Sequence, residues 1–210
     1  MFLKAAVKII SILILPVLVC CASTKEEDEY ADWKNRNNSH LSAVAAMTAE
    51  FEKRNVTKEN AVKGEMFRIR SFRLDTASTL SFPASSYVYC TVLEDNPNKH
   101  VGTTPLYTDS VWIHYRGRLI PTAEHPNGFI FDQSFKTDSL EEKFNEPGAF
   151  PNSGLVVGMI TALQEMHVGD YWRIYIPYKL GYDNIERTNI PLYSNLVFDV
   201  KLARFSHRIN

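Results

Sequence analysis

The chain has 210 residues, 45% of them hydrophobic and 22% charged, enough for one ordinary hydrophobic core and a smaller appended segment. Its 23 Lys and Arg against 24 Asp and Glu give a formal charge of -1, so the basic excess that nucleic-acid binding draws on is missing and nucleic acid is not an expected partner. Two of the three cysteines stand together at 20 and 21, which leaves only Cys90 for the body of the chain; an internal disulfide is excluded there, and no zinc-ligand spacing appears.

Lys4 and Lys8 precede an apolar run from Ile9 to Val19 that is short for a membrane span and ends at Cys20-Cys21, the pattern of an export signal. Leu18-Val19-Cys20-Cys21 resembles a bacterial lipobox, in which an aliphatic and then a small residue precede a Cys that is lipidated. Cys21 is the expected lipidation site, because Cys20 then supplies the small residue; Cys20 itself is the alternative. A plainly cleaved signal or an uncleaved anchor is the competing reading. The expected division is a lipoprotein signal peptide over 1–20, a polar tether over 21–30, a mainly helical extension over 31–85 and a compact domain over 86–210. The expected location is the bacterial cell envelope, lipid-anchored to a membrane at the periplasmic face or the outer surface.

From Asp28 to Asn55 the pattern is helical, with Trp33, Leu41, Val44, Ala45, Thr48 and Phe51 near one stripe. Asn37-Asn38-Ser39 is a candidate break. The stripe either packs on the domain, the favoured reading, or pairs with a second copy to give a homodimer. Met66-Phe67-Arg68-Ile69-Arg70 alternates like a strand, and Asp75 to Ser86 reads as a connection. Strand signals follow over Tyr87–Leu93, Val111–Leu119, Phe129–Phe135, Tyr171–Pro177 and Leu196–Leu202. Lys136 to Gly154 shows no period and is expected to be a flexible flap. Gly158 to Met166 reads as a short helix closed by His167-Val168-Gly169-Asp170. Leu180 to Tyr193 forms a second loop.

Taken together, Val111-x-Ile113-His114-Tyr115-x-Gly117, Phe131-Asp132, Met166-x-Val168-Gly169-Asp170, Ile176-Pro177, Gly181-Tyr182 and Asn195-Leu196-Val197-Phe198-Asp199-Val200 form an ordered set. The region from Tyr87 to Phe205 resembles the FKBP (FK506-binding protein) type of peptidyl-prolyl cis/trans isomerase. The resemblance implies an α+β fold, a curved antiparallel sheet of five or six strands wrapped over one short helix, here with an N-terminal helical extension. It also implies proline-containing polypeptides as partners and no cofactor or metal, while the lipobox-like Cys pair implies a membrane contact through an N-terminal lipid.

Isomerising an X-Pro bond requires loss of amide resonance, a barrier of roughly 18–20 kcal/mol, and no covalent bond breaks. An apolar cleft that grips the proline ring, with a few polar groups for the substrate carbonyls, suits that task. By resemblance Tyr115, Asp132 and Tyr182 are the catalytic candidates, and Phe131, Leu155, Val156, Met159, Ile190 and Phe198 are the substrate-binding ones. Tyr182 would donate to a substrate carbonyl, and Tyr115 would orient Asp132 beside the reacting amide. Three positions depart from the family. Met159 stands where a Trp commonly floors the proline site, Gly154 where an acidic residue is common, and Asp183 where a Gly usually follows Tyr182. These departures motivate the alternative of a binding module that holds polypeptides without useful turnover. His114, Asp132 and Ser134 do not read as a hydrolytic triad, since no nucleophile elbow accompanies them and His114 belongs to a strand motif.

Overall fold

The computed structural model describes residues 28–74, 80–137 and 145–207, so Cys20, Cys21 and most of the polar tether lie outside the described residues. The architecture is α+β. Strands β1 (Met66–Arg70), β2 (Tyr87–Glu94), β3 (Ser110–Arg118), β4 (Ile130–Gln133), β5 (Gly148–Pro151), β6 (Tyr171–Ile176) and β7 (Leu196–Ser206) form one sheet. Its order is β1-β2-β6-β7-β3, and β4 and β5 share the outer edge of β3. β5 pairs with Ser110 to Ile113 and β4 with Arg116 to Arg118, all neighbours running antiparallel. Among the described residues two α-helices accompany the sheet, α1 (Trp33–Glu52) and α2 (Val157–Leu163).

The two-residue period of the strands sorts their side chains between two faces. On β2, Val88, Cys90 and Val92 enter the main core, whereas Tyr89 points the other way into a second cluster. The main core joins these residues to Ile174 and Ile176 of β6, to Leu196, Phe198, Val200 and Leu202 of β7, and to Met159, Ala162 and Leu163 of α2. Each such side chain taken from water stabilises the fold by about 1.5–3 kcal/mol. Gly158 brings α2 onto this face: a Cβ there would stand 2.4 Å from Ile176 Cγ2. Cys90 is fully buried, and burial pushes its thiol far above the ordinary range, so it behaves as a small apolar residue.

α1 covers the opposite face. Its buried residues Trp33, Asn37, Leu41, Val44 and Thr48 recur at helical spacing, and Leu41 and Val44 meet Met66 and Tyr89. The stripe is thus buried within its own chain, in line with the packing reading. The expected break at Asn37-Asn38-Ser39 does not occur. Asn37 is fully buried, its side-chain amide donates to Trp33 O at 2.8 Å, and its remaining polar atoms engage a distant loop. Asn is a poor helix former when solvated because it competes for the backbone; here that capacity is used by tertiary partners.

Other expectations need correction. The sheet has seven strands, not five or six. β1 stands where the alternation of Met66 to Arg70 predicts a strand, and it extends the sheet by pairing along its whole length with β2. The described part of the expected flap holds β5 and a 3-10 turn over Asn152–Gly154. Buried Asn152 anchors that turn, donating from its backbone to Asp109 O at 2.8 Å and from its side chain to Leu106 O at 2.9 Å. β4 is shorter than the expected strand, ending at Gln133, with an irregularity opposite Gly117 and Arg118. Among the described residues no helix is long and apolar enough to cross a membrane.

Candidate active site

A cleft of about 720 Å³ opens between β3, β4, β5, the start of α2 and the loop that follows β6. All nine residues singled out from the sequence line it: Tyr115, Phe131, Asp132, Leu155, Val156, Met159, Tyr182, Ile190 and Phe198. β3 supplies Ile113 and Tyr115, β4 supplies Phe131 and Asp132, and β7 supplies Phe198. Leu155 and Val156 lead into α2, whose first turn brings Met159 to the floor, where it is buried.

Aromatic rings build the walls. Phe131 and Phe198 meet edge to face with centroids 5.4 Å apart, and Tyr115 meets Phe150 in the same manner at 5.6 Å. Such contacts add about 0.5–1.5 kcal/mol beyond area burial and fix ring orientation. Gly117 makes the first pair possible: a Cβ there would lie 2.6 Å from both Phe131 Cζ and Phe198 Cε1. Gly148 does the same for the second, where a Cβ would stand 2.7 Å from Phe150 Cε2 and 3.1 Å from Tyr115 Cε1. The Gly of the β3 motif is therefore a packing requirement of the cleft wall.

Polar groups are few. The Tyr115 hydroxyl donates to Asp132 Oδ2 at 3.0 Å. Burial, with the hydrogen bond and charge of Asp132 added, raises the Tyr115 hydroxyl above its usual range, so it stays protonated and remains a donor. Asp132 is exposed at the cleft edge, with its second oxygen left for another donor. Across the cleft the Tyr182 hydroxyl has no partner among the described residues, which leaves its O–H for a ligand carbonyl. Asp183, in the place where a Gly is common, adopts φ 53°, the left-handed conformation that Gly favours and Asp tolerates.

Sequence reading missed Ile113, Phe150, Arg187 and Thr188 as lining residues. Arg187 sits with its guanidinium 5.3 Å from the Tyr182 ring centroid, and a reciprocal backbone bridge to Ile190 holds it there. Phe150 lay in a stretch without period; the alternation of β3 gave no hint that its outer edge was shared by two short strands. His114 is buried and lies outside the cleft lining. Among the described residues, only Glu29, Glu124 and His125 bring metal-ligating atoms within 4.8 Å of one another, and none of the three lines the cleft.

Comparisons with known proteins converge on one family. Residues 102–203 match the family model for FKBP-type peptidyl-prolyl cis-trans isomerase. An FKBP-type 22 kDa peptidyl-prolyl cis-trans isomerase of Escherichia coli is 38% identical over 106 residues, 50% of this chain and 45% of the relative. The outer membrane protein MIP of Legionella longbeachae is 27% identical over 139 residues, 66% of this chain and 50% of the relative. The chain thus spans about half the length of these curated relatives. Among solved structures, a peptidyl-prolyl cis-trans isomerase of Pseudomonas syringae pv. tomato is similar at a TM-score of 0.48 and 24% identity, over 81% of this chain and 96% of that one.

Proposed function

We propose, from the match of residues 102–203 to the FKBP-type peptidyl-prolyl cis-trans isomerase family model, that the protein isomerises X-Pro bonds in exported polypeptides. The observation that carries the reading is the Tyr115–Asp132 pair set at the edge of a cleft walled mainly by aromatic and aliphatic side chains. In this account the proline ring enters between Tyr115, Phe131, Phe198 and Met159. Tyr182 donates to a substrate carbonyl and holds the flanking chain. Removing the amide from water weakens the hydrogen bonds that favour its planar, charge-separated form. Asp132, oriented by Tyr115, faces the rotating amide, so fixed dipoles are in place as the twisted state forms. Catalysis here is positioning plus differential stabilisation of that state, and it calls for no nucleophile.

Slow refolding limited by an X-Pro bond supplies the test. Sub-stoichiometric protein should shorten the slow phase of a denatured substrate whose refolding waits on proline. A slow phase unchanged at catalytic amounts, with an effect on yield only at stoichiometric amounts, would replace this reading by the polypeptide-binding module. Met159 in place of a rigid aromatic floor is the observation that favours that second reading.

The location proposed is the bacterial cell envelope, with a lipid on Cys21, or on Cys20 as the alternative. The positive leader, the short apolar run and the Cys pair support it, as does the similarity to a relative named as an outer membrane protein. The proposed assembly is a protomer whose α1 stripe is occupied by its own sheet; a homodimer through the extension would need another surface of α1.

A further inference from the structure

The loop that brings Tyr182 and Ile190 to the cleft contains three non-glycine residues in the left-handed region: Asp183 at φ 53°, Asn189 at φ 61° and Tyr193 at φ 61°. Asp and Asn tolerate this region, but Tyr193 does not, and such a residue persists only where surrounding structure over-determines it. Inside the loop, backbone bonds run from Asp183 N to Tyr178 O, Ile185 N to Tyr182 O, Tyr193 N to Asp183 O and across the Arg187–Ile190 bridge, Ser194 Oγ donates to Pro191 O, and the Tyr178 and Tyr193 rings meet edge to face. A second set of restraints comes from far away in sequence. Trp33 Nε1 donates to Ser194 Oγ at 2.8 Å, and the Lys34 ammonium lies 4.3 Å from the Tyr193 ring centroid. Asn195 donates from its backbone to Asn37 Oδ1 at 2.7 Å and from its side chain to the Asn37 carbonyl at 2.6 Å. Asn195 Oδ1 in turn accepts from Tyr178 N at 2.9 Å, at the other end of the loop. Asn37 is 0% exposed and Asn195 4%, so these bonds are shielded from competing water.

We propose that α1 is a positioning element of the cleft, with Asn37 as its central positioning residue, clamping both ends of the 178–195 loop so that Tyr182 and Ile190 are held ready for the substrate. The helix, placed on the opposite face of the sheet from α2, thereby sets the order of a wall it does not line. The consequence for activity rests on the isomerase reading; the clamp itself does not.

The test compares Asn37→Ala with Val44→Ala in the full chain. Val44 is buried on the same helix, in the cluster with Met66 and Tyr89, so its truncation weakens α1 without cutting a bond to the loop. Hydrogen exchange is read at the amides of Asp183, Arg187, Ile190 and Tyr193 and at sheet amides of β3 and β7. One lost buried hydrogen bond corresponds to about a tenfold change in a local opening equilibrium. Asn37→Ala should therefore speed the loop amides about tenfold or more relative to the sheet, and raise KM for a short X-Pro peptide more than it lowers kcat. Val44→Ala should leave the loop-to-sheet ratio unchanged. Loop amides unaffected by Asn37→Ala, or accelerated only in step with the sheet, would overturn the proposal. Selective loop opening in a protein that fails to accelerate the peptide would leave the clamp standing and remove the isomerase reading instead. Should Asn37→Ala fail to fold, Trp33→Phe, which removes the indole N–H donor to Ser194 together with part of a buried ring, is read against Val44→Ala as the packing control in the same way.

Discussion

At the scale of single residues, Met159 and Asp199 carry the sharpest consequences. Met159 is buried at the cleft floor, where its flexible thioether fills space without presenting a flat surface. Met159→Trp should raise kcat/KM on an X-Pro peptide several-fold while costing about 1–3 kcal/mol of stability through overpacking; peptide kinetics alongside urea unfolding read both. Asp199 faces the other side of β7 and binds Arg173 through Oδ1 at 2.6 Å and Arg118 through Oδ2 at 2.8 Å. Burial alone would raise its carboxyl, but the hydrogen bonds and charges of the two arginines outweigh burial and hold it below the usual carboxylate range. A depressed folded-state value stabilises the protein above the unfolded Asp value of about 3.9, and that contribution is lost as pH falls through the lower folded value. Asp199→Asn should therefore lower stability at pH 7 and flatten its fall below about pH 4. We expect about 2 kcal/mol at pH 7, less than for a fully buried pair because Arg173 is 38% exposed. Unfolding midpoints from pH 2 to 7 check it, and an acid limb as steep as in the parent would contradict it. Tyr115, Phe131, Asp132, Tyr182 and Phe198 were legible because each sits in a motif whose order survives, and Leu155, Val156, Met159 and Ile190 only through the family resemblance those motifs carry; Phe150, Arg187 and Thr188 were not, since they lie in stretches whose shape is set by partners distant in sequence.

The elements show where local pattern suffices and where it does not. β2, β3, β6 and β7 alternate over enough residues for the period to be read directly. β5 has four residues, Gly148-Ala149-Phe150-Pro151, too few for a period, and it exists because β3 offers a free edge and Asn152 anchors its end. α1 misled in the opposite sense. A polar Asn on an apolar stripe reads as a break until its long-range partners are known. At α2 the helix–sheet distance is the controlling quantity. Gly158→Ala gains about 1 kcal/mol of helix propensity. The added Cβ would nevertheless meet Ile176 Cγ2 at 2.4 Å and Val88 Cγ1 at 3.1 Å, both on stiff β-branched side chains. Net destabilisation of about 1–2 kcal/mol is expected from overpacking that exceeds the propensity gain. Denaturant unfolding tests this, and a stabilised variant would show that α2 can lift off the sheet without cost.

For the whole molecule, one sheet separates two helices with different duties. α2 floors the cleft, and α1 braces the loop that completes it from the far side. The anchor is tested by feeding cells an alkyne-labelled fatty acid. The protein should incorporate label, and Cys21→Ser should abolish incorporation and release the protein from membranes. Retention of label in Cys21→Ser and its loss in Cys20→Ser would move the lipid to the alternative site. The central claim is that this cleft turns X-Pro bonds, and the isomerisation rate of a short X-Pro peptide, measured by line-shape or exchange NMR with and without catalytic amounts of protein, addresses it most directly. The parent should accelerate the peptide clearly, and Asp132→Ala should lower that rate about tenfold or more, on the scale of losing one transition-state hydrogen-bonding group. No acceleration by a folded parent, across several residues preceding proline, would contradict it.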